Sequence, residues 1–373
     1  METRPGSGDW RLPDNSPCPN AIPTAVPFLR ITPDARSGAM GDAGIAISPD
    51  ANSMYINTSK LVFAESDFAI SATYSPWLRG LGLQDIYLAY LSGYKRIDEL
   101  QTLGFSLRYF SLGDIQFTNT EGQPAGFGRP NEFEIAIGYS RLLGDNLSVG
   151  VNGKFIYSNL AGGQEVGGIE INPGVAGAVD LSILYRIPFE TSQLNLGLAL
   201  SNLGSKISYT RETNDFLPAN FGLGAAWSVD LDEYNTITFA ADMNKLMVPT
   251  PLYPSDPKYP AHREKSFFSG VLGSFSDAPG GFSEELKEIM YSVGTEYWYD
   301  NQFAIRAGYY YENVLKGNRK YFTIGLGVKY NVFGINMSYL ISTNSTVQQS
   351  NPLDKTLRFS LIFDFGESGI NSN

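Results

Sequence analysis

The sequence predicts an all-β protein: a transmembrane outer-membrane β-barrel of 14 antiparallel strands with an N-terminal plug-like segment. Three observations lead there. Apolar and polar residues take turns along most of the chain, tight turns and long links follow one another in order, and Tyr, Phe or Trp caps the apolar parity near strand ends. A period of two means a strand whose two faces carry different chemistry. In "NLSVGVNGKFIYSN", residues 146–159, Leu147, Val149, Val151, Phe155 and Tyr157 share one parity. Ser148, Gly150, Asn152, Lys154 and Ser158 share the other.

The segments follow in order. Those at 66–77 and 84–95 alternate least cleanly, and 99–112 sharpens the pattern. In "EFEIAIGYS", within 131–143, Phe133, Ile135, Ile137 and Tyr139 oppose Glu134, Ala136, Gly138 and Ser140. After 146–159 and 173–187, "LNLGLAL" within 193–203 sets Leu194, Leu196, Leu198 and Leu200 against Asn195, Gly197 and Ala199. Next come 216–229, 234–246, 287–299, 302–312 and 319–331. "FGINMSYLIS" in 333–343 and "TLRFSLIFDF" in 354–366 close the set, the last setting Leu357, Phe359, Leu361, Phe363 and Phe365 against Arg358, Ser360 and Asp364. "LGDN" at 143–146, "DLDE" at 230–233, "DN" at 300–301 and the junction near Asn331 are tight turns; 113–130, 159–172, 204–215, 247–286 and 344–353 are long links.

A soluble β-sandwich also alternates, with one face in its core and one in water. Strands of about ten to fourteen residues are longer than the five or six usual in such folds. Aromatic caps recur at Tyr109, Tyr139, Tyr157, Tyr185, Trp227, Tyr299 and Tyr330. The sorting of links into short and long is that of an outer-membrane barrel, with tight periplasmic turns and long external loops. The even strand count then brings both chain ends to the periplasmic side. The apolar parity meets lipid, and Asn152 and Lys154 face the lumen. Closure is required, because an open edge in hydrocarbon leaves N–H and C=O groups unpaired.

Composition excludes other classes. Of 373 residues only 17% are charged, below the usual quarter, while 39 are glycine and 13% aromatic. A formal charge of −11 argues against nucleic acid as a partner. No apolar run approaches the roughly 18 residues of a transmembrane helix. Cys18 is the single cysteine, so no internal disulfide forms and a Cys₂His₂ zinc site is excluded. It reads as a residue of a flexible leader, since "RLPDNSP" supplies no apolar stretch for lipidation. "METRPGSGDWRLPDNSPCP" lacks the apolar core of a signal peptide, so an exported chain would be numbered here from beyond the cleavage site.

The expected organisation is a flexible leader at 1–25, a plug or periplasmic segment at 26–65, the barrel at 66–366 and a C-terminal tail at 367–373. The inward parity carries Glu134, Asp180, Asp242, Glu296 and Asp364 with Arg108, Lys154, Arg186, Arg306, Lys329 and Arg358. A ring of one sign would suggest ion selectivity. Nearly balanced signs suggest pairs across the lumen that brace it, or a plug, rather than a general diffusion pore.

Residues 26–62 mix small residues with the turn formers Pro33, Gly38, Gly41, Gly44 and Pro49, as a plug would. Within them "PDARSGAMGDAG" followed by "SPDANSMYINTSKL" resembles the N-terminal signature of the PorV family of type IX secretion barrels. The matching positions are Pro33, Asp34, Ala35, Arg36, Gly38, Gly41, Asp42 and Asn57. That family is similar in turn to the FadL-type fourteen-stranded transporters, from which this chain departs at Asn57 with "NTS" in place of "NPA". The match is strong over some forty N-terminal residues and rests elsewhere on strand number and loop order. The resemblance implies a non-enzymatic docking and shuttle barrel without cofactor or metal. Its implied partners are the type IX translocon barrel, the C-terminal signal domain of exported cargo, and the surface sortase complex, with outer-membrane lipid around it. The FadL side of the resemblance implies an alternative, a channel for hydrophobic small molecules, for which inward Leu184, Leu340 and Ile362 speak.

An enzymatic role would run through His262, the single histidine, as the base of a lipid hydrolase. It sits in a Pro-rich link beside Arg263 and Lys265, the setting of a solvated histidine. No carboxylates are paired for acid–base work, and "AGGQEVGG" at 161–168 lacks the Lys-Ser/Thr of a phosphate loop. The link 247–286 is more informative. Phe267, Phe268, Val271, Leu272, Phe275 and Phe282 gather there, as at a protein contact or as a seal folded over the barrel mouth.

Overall fold

The computed structural model describes residues 2–3, 10–11, 19–79, 83, 85–118, 122–161, 165–166, 169–210, 214–252, 264–343 and 354–366. Each alternating segment is a strand. In chain order they are β1 (Phe68–Pro76), β2 (Ile86–Asp98), β3 (Gln101–Leu112), β4 (Asn131–Leu142), β5 (Leu147–Asn159), β6 (Gly174–Pro188) and β7 (Ser192–Gly204). The second half is β8 (Asn220–Asp230), β9 (Asn235–Leu246), β10 (Ile289–Tyr299), β11 (Phe303–Tyr311), β12 (Lys320–Tyr330), β13 (Phe333–Ser342) and β14 (Leu357–Phe365). Every strand pairs antiparallel with its successor, and β14 closes on β1 from Phe359↔Tyr74 to Phe365↔Phe68. The fold is a closed 14-stranded barrel.

Two strands begin three or more residues later than their alternation suggested. β8 starts at Asn220 rather than 216, because Pro218 has no N–H for a ladder and its carbonyl instead accepts from Asn202 Nδ2 (3.1 Å). β14 starts at Leu357 rather than 354, after a turn in which Lys355 has φ +59°. β7 carries one bulge. Its pairing with β6 shifts between Val179 and Leu181, and the left-handed Asn202 turns its N–H to Asp180 Oδ1 (2.7 Å).

Parity decides the faces. On β6, Val175, Val179, Leu181, Ile183 and Tyr185 are exposed, while Ala176, Ala178, Asp180, Ser182 and Leu184 are buried. Aromatic side chains form girdles at both ends of the outer surface. Tyr74–Tyr87 (5.5 Å), Tyr87–Tyr109 (6.1 Å) and Tyr309–Phe322 (4.8 Å) mark the long-link end; Phe68–Phe365 (5.7 Å) and Phe333–Phe363 (5.2 Å) mark the short-turn end. The long links face outward from the cell and the short turns face the periplasm.

The N-terminal segment fills the lumen, but its path differs from expectation. β1 and β14 do place the ends of the barrel at the short turns. The segment ahead of β1, however, runs back up the lumen, so Asn20 lies at the opposite, external mouth. There its N–H donates to Leu315 O (2.7 Å), between β11 and β12, and Ala25 N–H donates to Phe216 O (2.9 Å), between β7 and β8, both at the end opposite the short turns. Packing also starts earlier than residue 26: Ile22 is buried with Leu246, Val248, Met290, Tyr310, Tyr321 and Leu340. Descending, the segment forms a 3₁₀ turn at Pro27–Arg30, helix α1 (Ala35–Ala39) and further 3₁₀ turns at Ser53–Tyr55 and Thr58–Phe63. Gly41, with φ +68°, touches the backbone of Tyr309 so closely that a Cβ would sit 2.5 Å from its nitrogen. Glycine is required there for both reasons.

The lipid-facing assignment is testable at Leu198, near the middle of β7. Leu198→Arg should lower stability in lipid vesicles by about 2–4 kcal/mol in urea unfolding. A loss below about 1 kcal/mol would put Leu198 away from the hydrocarbon.

Candidate functional site

Irregular backbone at membrane depth survives only if protein groups satisfy it. The inward parity of the barrel supplies those groups. Asp242 on β9 accepts from the N–H groups of Gly44 (2.7 Å) and Ile45 (3.0 Å). Arg108 on β3 donates to the carbonyls of Phe28 (3.3 Å), Leu29 (3.1 Å) and Ile31 (3.5 Å), and its guanidinium lies over the Tyr55 ring (4.7 Å). Arg358 Nε on β14 reaches Thr32 O (3.1 Å), and Ser360 Oγ accepts from Ala35 N–H (2.9 Å). Lower down, the hydroxyls of Ser140 (3.1 Å) and Ser148 (2.7 Å) both donate to Ser59 O.

The strongest joint is ionic. Glu296 on β10, 1% exposed, accepts from Arg36 Nε (2.8 Å) and Nη2 (2.7 Å) and from Arg306 Nε (2.6 Å). Arg36 is carried on α1 and also holds Ser48 and Asp50 of its own segment. A two-pronged guanidinium–carboxylate contact fixes orientation as well as charge. Lys154 on β5 forms a second group on the wall, with Asp180 at 2.7 Å, Glu134 at 3.9 Å and Asn202 Oδ1 at 3.0 Å.

Placed together, the inward charges do less cross-lumen bracing than their balance implied. Arg108, Asp242, Glu296 and Arg358 hold the N-terminal segment, and Arg306 shares Glu296 with it. Glu134, Lys154 and Asp180 pair along the wall. Near the short turns, Lys329 meets Asp364 (3.3 Å), and Arg186 reaches Gln193 (2.6 Å) with its guanidinium over Phe63 (4.6 Å). A cavity of about 290 Å³ remains at this end, bordered by Phe63, Leu184, Arg186, Trp298, Ile362 and Asp364.

The N-terminal signature residues fall at the joints. Asp34 caps α1 by accepting from Ser37 N–H (2.8 Å), and Pro33 and Ala35 are buried beside it. Gly38 leaves room for Arg358, whose Nη1 would lie 2.8 Å from any Cβ there. Asp42 accepts from the Tyr321 hydroxyl (2.5 Å). Asn57 caps the last 3₁₀ turn through Ser59 N–H (3.1 Å) and donates to Ile45 O (2.8 Å). The inward serines and threonines that hold this segment were visible in the alternation; charge alone did not single them out.

The long link after β9 contains two helices where only a loop was expected: α2 (Phe267–Gly273) and α3 (Phe282–Glu285). Phe268, Leu272 and Phe282 are 75%, 75% and 77% exposed, Phe275 is exposed, and Phe267 and Val271 are half-buried. They do not fold into the mouth. Phe275 packs edge-on to Phe221 (6.0 Å), an outward residue of β8, so the link lies over the outer rim. At the mouth, Ile22 packs instead among its apolar neighbours.

What seats this link was missed in the sequence. Lys245, next to the last residue of β9, is on the outward parity, and a buried cation there needs partners. It finds Glu288 (2.5 Å) and Glu285 (2.9 Å), while Lys316 finds Glu284 (2.5 Å) and Glu288 (3.0 Å). Thr250 Oγ1 donates to Glu288 (2.7 Å), and Asn20 Nδ2 donates to Glu284 (3.2 Å). A lone lysine on an otherwise apolar parity was the available signal. Burial pushes the Glu284 carboxyl up, but Lys316 and the Gly280 N–H outweigh it and hold the group below its ordinary range. Cys18 and His262 lie outside the described residues.

Two outcomes follow from these joints. Glu296→Ala leaves the Arg36 and Arg306 guanidiniums buried without their shared carboxylate, which should lower stability by about 3–5 kcal/mol in denaturant titration. A loss under about 1 kcal/mol would mean that water reaches the joint. Glu284 gives a pH dependence. Its folded pKa is depressed, so its contribution is complete above the unfolded value of 4.5 and is lost as pH falls through the lower folded value. Proteolysis within 264–288 should therefore stay slow from neutral pH down to 4.5 and accelerate below it. Acceleration already at pH 6 would assign the seat to another group.

Comparison with known proteins accords with this architecture. The family model described as "Type IX secretion system protein PorV" matches residues 15–253. Among solved structures, the toluene transporter TodX of Pseudomonas putida superposes with a TM-score of 0.55 at 13% identity, covering 90% of this chain and 99% of that one. The toluene transporter TbuX of Ralstonia pickettii gives 0.51 at 12% identity, covering 89% and 98%. At such identities the likeness is one of fold. No curated protein sequence matches the chain. A closed barrel with an apolar outer face and aromatic girdles belongs in the outer membrane of a Gram-negative bacterium. By its match over most of its length, and with its lumen filled by the segment that bears the signature, this chain belongs to the PorV family of type IX secretion system proteins.

Proposed function

We propose that this barrel is a non-catalytic carrier of the type IX pathway. It binds the C-terminal signal domain of exported cargo at the translocon barrel and delivers the cargo to the surface sortase complex. The observation that carries this reading is the outer link. Phe268, Leu272 and Phe282 are exposed on an ordered helical platform, next to a lumen that is already occupied. Apolar side chains held out on a seated platform favour contact with a protein partner.

A channel for hydrophobic small molecules is the second reading. Two toluene transporters share the fold, and the cavity of about 290 Å³ near the short turns has apolar walls at Phe63, Leu184 and Ile362. Passage along the barrel axis requires the N-terminal segment to leave the lumen, against the ionic joint at Glu296 and the hydrogen bonds along its length. The carrier reading needs no such movement.

The structure refines which residues to change, since Phe275 supports the link and Phe267 is half-buried. Phe268→Ser, Leu272→Ser and Phe282→Ser together should leave a heat-resistant, inserted barrel. Capture of cargo and translocon should fall at least about tenfold, because exposed aromatic anchors commonly contribute 1–2 kcal/mol or more each. Undiminished capture would move the contact surface elsewhere, first to link 113–130. Uptake of a hydrophobic solute by the purified barrel in vesicles would favour the channel.

A further inference from the structure

The N-terminal segment enters the lumen from neither end as a returning hatch. At the short-turn end, Ser59 O is held by Ser140 and Ser148, and β1 begins at Phe68. At the external mouth, Asn20 and Ala25 bond to the links between β11 and β12 and between β7 and β8, and Ile22 is buried among side chains of β9 to β13. Between these anchors the segment touches β14, β10, β9 and β4 in turn, and it folds against itself where Tyr55 meets Thr32 and Asn57 meets Ile45.

Its outer anchor is also a joint of the external link. Leu315 O accepts the Asn20 N–H, and the next residue, Lys316, bridges Glu284 and Glu288. Asn20 Nδ2 donates to Glu284, the same carboxylate that Lys316 and the Gly280 N–H hold. One residue of the N-terminal segment thus touches both sides of the seat of α3.

We propose that the N-terminal segment is a strap threaded through the whole barrel, with its upstream end on the cell surface, and that this end holds the external link in its seat through Asn20. The strap is continuous from Asn20 to β1. Displacing its outer end removes a donor from Glu284 and one from Leu315 O, and it opens the apolar cluster around Ile22. The link then loosens although no residue of the link has changed. This inference rests on the path of the chain and not on the carrier reading, so either can fail alone.

Two measurements test it. With Cys18→Ser as background, Pro23→Cys places a thiol at an exposed position of the mouth, and Asp300→Cys places one in an exposed short turn. A membrane-impermeant maleimide should label Pro23→Cys on intact cells and label Asp300→Cys only after the outer membrane is permeabilised. Labelling of Pro23→Cys only after permeabilisation would overturn the threading. For the coupling, Asn20→Ala should speed proteolytic cutting within 264–288 by about tenfold, with the heat resistance of the barrel kept, because the fraction of open link follows the lost charge-assisted hydrogen bond. Asn20→Ala combined with Ile22→Ser should speed it further. Cutting at the unaltered rate in both variants would overturn the coupling, and the labelling result stands even if the double variant assembles poorly.

Discussion

Everything in this molecule depends on one constraint: in hydrocarbon, a backbone N–H or C=O without a partner costs several kcal/mol. The chain meets it by closing β14 onto β1, leaving no edge, and by alternating apolar and polar residues so that each strand shows lipid one face and the lumen the other. Closure creates a protected interior. Only there can a segment as irregular as residues 19–67 exist at membrane depth, with short 3₁₀ turns and a left-handed Asp42.

The interior in turn sets what the lumen residues do. A polar inward face without contents would line a water channel. Here Asp242, Arg108, Arg358, Ser140 and Ser148 spend their hydrogen bonds on the backbone of the strap. Arg36 and Arg306 share Glu296, joining strap to wall with three charges that would each be unfavourable alone. Polar groups that could have made a conduit make a support. Of the two roles proposed above, binding at the outer surface is the physically simpler one.

The external link shows the same economy outside the barrel. Its exposed Phe268, Leu272 and Phe282 need a platform, and α2 and α3 are too short to stand alone. The platform is seated by Lys245 and Lys316 among Glu284, Glu285 and Glu288, and by Phe275 on Phe221. Since Asn20 joins that cluster, strap and link meet in one place.

The strands were legible because strand formation is read out locally. A period of two placed β9 at 234–246 against an observed Asn235–Leu246, and failed by three or four residues where Pro218 could not join a ladder and where a turn at Lys355 precedes β14. Gly38 and Gly41 were legible too as turn formers, and Asp34 and Asn57 as positions of the signature. What those residues touch was not. Gly41 needs its φ and its lack of a side chain because Tyr309 passes beside it, and Arg36 needs Glu296, contacts between residues far apart in sequence. The same holds for the direction of the strap and the seat of the outer link. Period and composition belong to single segments and determined the barrel; which groups satisfy which buried charges depends on distances across the closed lumen and its rim, and only the tertiary structure decides those.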